Sequence, residues 1–210
     1  MAGKANIALL DIAGLAFAFV MGALVLIFGS AEFLILLFVF LGLSVMVTKY
    51  GYEKKRELGI YEHERSWENV LANGFVPTIC AVVSPWVGWG PFVGSVAAIT
   101  ADKFASELGV LAGEPIYLLN FKKAKKGTNG AVTPFGLLMS FDGAALIGIA
   151  AFLMFPGMTL WRIVLIGLVG FGGSFADSIV GVFEEKGIGN KATSNAVCSL
   201  FGAVAGMAFI

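Results

Sequence analysis

The stretch 123–155, "KAKKGTNGAVTPFGLLMSFDGAALIGIAAFLMF", decides the fold class, because a cationic, glycine-bearing loop runs straight into an apolar segment. Thr133 before Pro134 reads as an N-cap followed by the first helical position, where a missing N–H leaves nothing unsatisfied. From Pro134 to Phe155 the only ionisable residue is Asp142. A hydrocarbon core of ~30 Å needs about 20 such residues in a helix, so this run predicts a transmembrane span. Further runs of similar character lie at 6–28, 31–48, 67–85, 91–113, 159–183 and 193–210. The expected architecture is an all-α, polytopic transmembrane helix bundle of about seven spans, a single integral membrane domain over 1–210.

Composition agrees with that class. The chain has 210 residues, 58% hydrophobic and 13% charged, and its mean hydropathy is +0.89. A soluble domain carries about 25% charge. Before Lys49 the only charged residues are Lys4, Asp11 and Glu32. A formal net charge of zero argues against general nucleic-acid binding. The first run exceeds a signal-peptide core and ends at no A-x-A-like site, so it reads as a retained helix. Cys80 and Cys198 sit in apolar runs with no second ligand type beside them, which supports neither a disulfide framework nor a zinc site.

Basic residues give the orientation, since Lys and Arg favour the cytoplasmic side of a membrane. Lys4 precedes the first span, and Lys49, Lys54, Lys55, Arg56 and Arg65 follow the second. Lys122, Lys123, Lys125 and Lys126 follow the fourth, and Lys186 and Lys191 the sixth. Thus 12 of the 14 basic residues fall on one side, all but Lys103 and Arg162, and the N-terminus is expected in the cytosol. Ser66, Thr159 and Thr193 or Ser194 are the expected N-caps of spans three, six and seven. Gly90/Gly94, Gly109/Gly113 and Gly202/Gly206 are small-xxx-small pairs of the kind that close helix packing in lipid uses.

Ionisable groups inside spans are costly, which makes them candidates for function. Asp102, Lys103 and Glu107 lie in span four, Asp142 in span five and Asp177 in span six. Lys103 and Glu107 are four apart and can neutralise each other on one helix face. Asp102 and Ser106 form a second polar row that this pairing leaves unexplained. Asn73 and Asn195 open spans three and seven on the lysine-rich side, and Pro77 removes the intrahelical partner of the Asn73 carbonyl. Asp142 reads equally well as an interhelical hydrogen-bond partner, and His63 as a solvated loop residue. In the loop, Lys126 supplies a point charge for phosphate, and Gly127, Thr128, Asn129 and Gly130 a backbone able to approach it. The helix start behind them adds unpaired N–H groups. Carboxylates across such a site would hold magnesium, which takes one or two of them plus substrate phosphates. The competing reading is a topogenic loop with a turn, because the spacing of a P-loop is missing.

The ordered motifs "HERSWENVLANGF", "ADKFASELG", "KKGTNGAVTPFG", "GGSFADSIVG" and "TSNAVCSLFGA" resemble the phytyl-phosphate kinase family of integral membrane proteins. That family includes plant enzymes of vitamin E synthesis and archaeal and animal relatives, and it is distantly similar to CTP-dependent polyprenol kinases. The resemblance covers residues 61–205 and treats the two helices of 1–48 as generic. It implies transfer of a nucleoside triphosphate's terminal phosphate, with CTP the expected donor, to an isoprenyl monophosphate. It places Asp102, Ser106 and Glu107 in the span-four motif, Lys126 to Gly130 in the phosphate loop, and Asp177, Asn73 and Asn195 at the other polar positions. The catalytic set implied is Asp102, Glu107, Lys126 and Asp177, with Mg2+ on Asp102, Glu107 and Asp177. Where the family often has Thr, this chain has Lys103, which reads either as a further phosphate contact or as a sign of altered nucleotide handling.

The expected partners are an isoprenyl monophosphate, a nucleoside triphosphate and membrane lipids, without nucleic acid, as a monomer or a homo-oligomer. The expected location is the cytoplasmic membrane, with the active site facing the cytosol. Two alternatives remain: a CDP-lipid-forming nucleotidyltransferase built from similar parts, and a transporter or lipid-binding protein whose carboxylates couple ions.

Overall fold

The structure is a computed structural model that describes residues 12–60 and 67–210. Lys4, Asp11, His63, Arg65 and the expected cap Ser66 lie outside the described residues. The described chain folds into helices α1 (Ile12–Phe28), α2 (Ala31–Lys49), α3 (Tyr52–Glu57), α4 (Trp67–Val87), α5 (Gly90–Gly109), α6 (Pro134–Met154), α7 (Leu160–Glu184) and α8 (Lys191–Phe209). One antiparallel ladder, β1 (Ile116–Tyr117) with β2 (Ala131–Val132), ties the ends of the α5–α6 loop together.

Each apolar run of the sequence corresponds to one long helix. By length and composition, α2, α4, α6 and α7 are able to cross a membrane. Their outward residues, such as Leu138, Leu153 and Leu168, are exposed and apolar, as a lipid-facing surface requires. α5 carries Asp102, Lys103 and Glu107, and α1 is shorter, at 17 residues.

α5 is the central helix, packed against α2, α4, α6, α7 and α8. Every residue from Gly90 to Ala101 is buried, and small side chains make this possible. A Cβ on Gly94 would strike the Gly202 carbonyl oxygen, and one on Gly206 the Gly90 carbonyl oxygen. The glycine pairs of α5 and α8 therefore bring the two backbones into direct contact. Gly109 meets Gly136 of α6, with a virtual Cβ 3.2 Å from its Cα. Gly113 corrects the sequence reading. It lies beyond the end of α5 at φ +78°, a turn residue and not the second half of a helix-packing pair.

Two of the expected caps hold. The Thr133 hydroxyl accepts from the Gly136 N–H at 3.0 Å, and the Thr159 hydroxyl from Arg162 N–H at 3.4 Å. The third moves: Asn190, not Thr193 or Ser194, caps α8, and Thr193 completes a capping box with it. Asparagine accepts from two N–H groups here, Ala192 and Thr193, which moves the helix start forward to Lys191.

The helices alternate in direction. Phe33 of α2 stacks on Phe92 of α5 at 4.2 Å, while Thr48 at the other end of α2 bonds Glu107, so the two helices run together. The contacts Gly143–Phe104 and Gly136–Gly109 show α6 running opposite to α5. The ends of α2, α5 and α7 and the starts of α4, α6 and α8 thus gather at one end of the bundle. At the far end Phe33, Phe92, Phe155 and Trp89 form an aromatic plug, and Arg162 lies over the Trp89 ring at 5.6 Å.

Candidate functional site

The loop end of the bundle holds a cavity of about 1160 Å³ whose two halves differ in chemistry. Leu15, Phe19 and Leu26 of α1 and Leu34, Leu37 and Leu41 of α2 wall one half. The other half is polar. All the residues selected from the sequence line it: Asn73, Asp102, Lys103, Ser106, Glu107, Lys126, Gly127, Thr128, Asn129, Gly130, Asp177 and Asn195. Asp142 does not; it lies exposed on α6.

The carboxylates separate into two groups. Asp177, 5% exposed, and Asp102 are joined through Lys191, whose ammonium lies 3.0 Å from Asp177 Oδ2 and 3.8 Å from Asp102 Oδ2. Glu107 belongs elsewhere. Its Oε2 takes the Lys55 ammonium at 2.8 Å, and its Oε1 takes Lys103 at 2.6 Å and the Thr48 hydroxyl at 2.9 Å. The i,i+4 pairing of Lys103 and Glu107 is thus present as expected. The expected three-carboxylate metal set is not: among the described residues no group of three or more His, Cys, Asp or Glu side chains is placed to hold a metal ion.

Lys55 and Lys191 were read from the sequence only as topogenic charges. Lys55 is 1% exposed, held by the Val47 and Thr48 carbonyls at 2.7 and 3.1 Å besides Glu107. Nothing in "YEKKRE" separates it from its neighbours. Lys191 had a usable signal, because a cation in the first turn of a helix opposes the helix dipole and needs another partner.

Lys126 has no carboxylate partner among the described residues; its ammonium donates to the Val110 carbonyl at 3.0 Å. Asn195, 5% exposed, lines the cavity, and its side-chain amide makes no hydrogen bond to the described residues. Four lysines, Lys55, Lys103, Lys126 and Lys191, face three carboxylates, Asp102, Glu107 and Asp177, across the lining, which leaves one net positive charge. The asymmetry is local. The Lys103–Glu107–Lys55 group and Lys126 form a cationic side, and Asp102 with Asp177 an anionic one.

The loop glycines have structural reasons of their own. Gly127 and Gly130 have φ of +82° and +71°, where a side chain is strained. Gly130 also abuts the α7 backbone, and a Cβ on Gly181 would sit 2.6 Å from the Gly130 nitrogen. One loop amide already holds an anion: Asn129 N–H donates to the Glu185 carboxylate at 3.1 Å. Further out, the Lys123 ammonium 2.5 Å from Glu114 holds that carboxyl below the usual carboxylate range, an exposed pair well screened by solvent.

For magnesium the residues fit in one place. Asp102 and Asp177 offer two carboxylates beside the cavity, and a cationic group, the Lys191 ammonium, already sits across them. That matches an ion taking one or two carboxylates and completing its shell with phosphate oxygens and water.

Fold and site together define an all-α integral membrane protein whose cavity is apolar on one side and lined by lysines and carboxylates on the other. The chain belongs to the integral membrane protein family DUF92, which it matches over residues 2–206, a span that includes α1 and α2. It is 40% identical over 205 residues to the uncharacterized membrane protein MJ0933 of Methanocaldococcus jannaschii, covering 94% of this chain and 84% of that protein. It is 34% identical over 179 residues to Protein PGR of Arabidopsis thaliana, covering 70% of this chain and 62% of that protein's length. No solved structure matches it.

Proposed function

We propose that this protein is a membrane-embedded kinase that transfers the terminal phosphate of a nucleoside triphosphate, CTP by the resemblance, to an isoprenyl monophosphate of phytyl or geranylgeranyl type. One observation carries the reading: a single cavity joins an apolar wall from α1 and α2 to a lining of lysines and carboxylates. A prenyl tail matches the first half, and two phosphate-bearing groups match the second.

In this reading an oxygen of the lipid monophosphate attacks the γ-phosphorus of the nucleotide. The β–γ bridging P–O bond breaks, and nucleoside diphosphate leaves as the lipid diphosphate forms. The acceptor is already ionised, so no strong base is needed, and catalysis is positioning plus charge neutralisation. Lys126 and Lys103 neutralise phosphate oxygens on the cationic side. Asn195 donates its free amide N–H groups, and Ser106 a hydroxyl from the face of α5 that carries Asp102. Asp102 and Asp177 would hold Mg2+, which supplies charge compensation for the nucleotide phosphates when bound.

The same reading includes seven membrane crossings with the N-terminus in the cytosol. The alternating helix directions support it, as does the gathering of loop lysines at the cavity end with Arg162 at the other. The active site then faces the cytosol, where nucleotide is available, in the cytoplasmic membrane. The by-product decides between this kinase and a CDP-lipid-forming transferase. Purified protein given CTP and a prenyl monophosphate should release CDP, whereas stoichiometric pyrophosphate release would assign the transferase.

A further inference from the structure

The Glu107 group has more cation than it needs, and its two lysines differ in how firmly they are held. Lys55 uses its ammonium on three acceptors, the Val47 and Thr48 carbonyls and Glu107 Oε2, at 2.7, 3.1 and 2.8 Å. Its side chain is 2% exposed. It is therefore fixed: leaving would strand two carbonyls and a carboxylate in the interior. Lys103 forms its one ion pair among the described residues with Glu107, at Oε1, an oxygen that also takes the Thr48 hydroxyl. Its side chain is 23% exposed and lines the cavity.

We infer that Lys55 is a positioning residue, the permanent counter-ion of Glu107 that frees Lys103 to leave it for a phosphate group in the cavity. If Glu107 had Lys103 as its one cation, moving that lysine would bury an uncompensated carboxylate. With Lys55 fixed, the carboxylate keeps one cation and one hydroxyl donor after Lys103 departs. Lys103 then acts as an anion-binding arm beside Lys126, and its ligand class is a phosphate or diphosphate ester. This rests on the phosphate-site reading above, but it specifies what that reading does not: a lining lysine already committed to Glu107 and two carbonyls that controls anion affinity through its neighbour.

The test measures binding of inorganic pyrophosphate, without nucleotide or magnesium, to the full-length protein in detergent by calorimetry. Size-exclusion profiles and melting curves monitor folding. Lys103→Met should weaken binding by about 10- to 100-fold, the worth of one charge-assisted hydrogen bond. Lys55→Met should weaken it to a similar extent, although the Lys55 ammonium is already committed to three protein acceptors, because Lys103 is then retained by Glu107. The double variant Lys55→Met/Glu107→Gln should recover wild-type affinity, since nothing holds Lys103 back. Glu107→Gln alone, which leaves Lys55 on its two carbonyls, should bind pyrophosphate at least as tightly as wild type. That variant keeps the test decisive should Lys55→Met fail to fold. Wild-type affinity in Lys55→Met, or no recovery in the double variant, would overturn the inference and leave the phosphate site standing. A wild-type protein that binds no pyrophosphate at all would overturn both.

Discussion

Lys191 lies bidentate on Asp177, its ammonium 3.0 Å from Oδ2 and 3.3 Å from Oδ1, at the first residue of α8. Two carboxylates and a lysine from three helices are thereby gathered beside the cavity.

Removing that lysine should make stability depend on metal. In magnesium-free buffer, Lys191→Met leaves Asp102 and Asp177 side by side without their cation. Its side chain is 46% exposed, so the cost should be about 1–3 kcal/mol, below the 3–5 of a fully buried pair. Thermal melts in detergent should show the variant less stable than wild type, and millimolar magnesium should restore most of the difference. A variant whose deficit magnesium leaves unchanged would show that the pair does not take the ion.

Asp102→Asn and Asp177→Asn retain shape while removing charge. Each should lower prenyl-phosphate phosphorylation by ~100-fold or more, since even outer-shell partners of a metal contribute 10- to 100-fold. The proteins should still elute as single monodisperse species. Initial rates beside chromatography check this, and near-normal rates in both would remove the pair from the site.

Among the described residues, Lys126 is the cavity lysine without a carboxylate partner. Lys126→Met should weaken nucleotide binding by about 10- to 100-fold, the range of a charge-assisted hydrogen bond, without altering membrane insertion. Titration with nucleotide, next to cysteine accessibility at position 125 in a background lacking Cys80 and Cys198, separates the two effects. Unchanged nucleotide affinity would leave the lysine as a topogenic charge.

The loop glycines predict stability effects that do not depend on ligand. Gly130→Ala and Gly181→Ala force the loop away from α7 and should each cost about 1–3 kcal/mol, as overpacking does. Gly42 in α2 has nothing within 4 Å of a virtual Cβ, so Gly42→Ala should be neutral or slightly stabilising. Equal melting temperatures for all three variants would contradict the close packing of loop and helix.

What the sequence made legible was whatever depends on neighbours along the chain. Apolar length marked every long helix, Thr133 and Thr159 announced their caps, and the i,i+4 spacing paired Lys103 with Glu107. What it hid depends on tertiary burial. Lys55 and Lys191 carry the same code as any cytosolic loop lysine, and only packing against α2 and α5, or against Asp177, distinguishes them. The resemblance groups Glu107 with Asp102, yet five positions apart on α5 they point to different partners. The start of α8 was misplaced because Asn190 and Thr193 are both good caps, and they form one box together.

Phosphoryl transfer onto a lipid phosphate is proposed to take place in the cavity that α1 and α2 wall on one side and Asp102, Lys126 and Asp177 line on the other. Its most direct measurement uses γ-labelled CTP and geranylgeranyl monophosphate with purified protein and magnesium, followed by separation of the lipid products. Wild type should place label in the lipid diphosphate, and Asp177→Asn almost none. No labelled lipid from wild type with any nucleoside triphosphate or prenyl monophosphate, in protein that is folded and monodisperse, would contradict it.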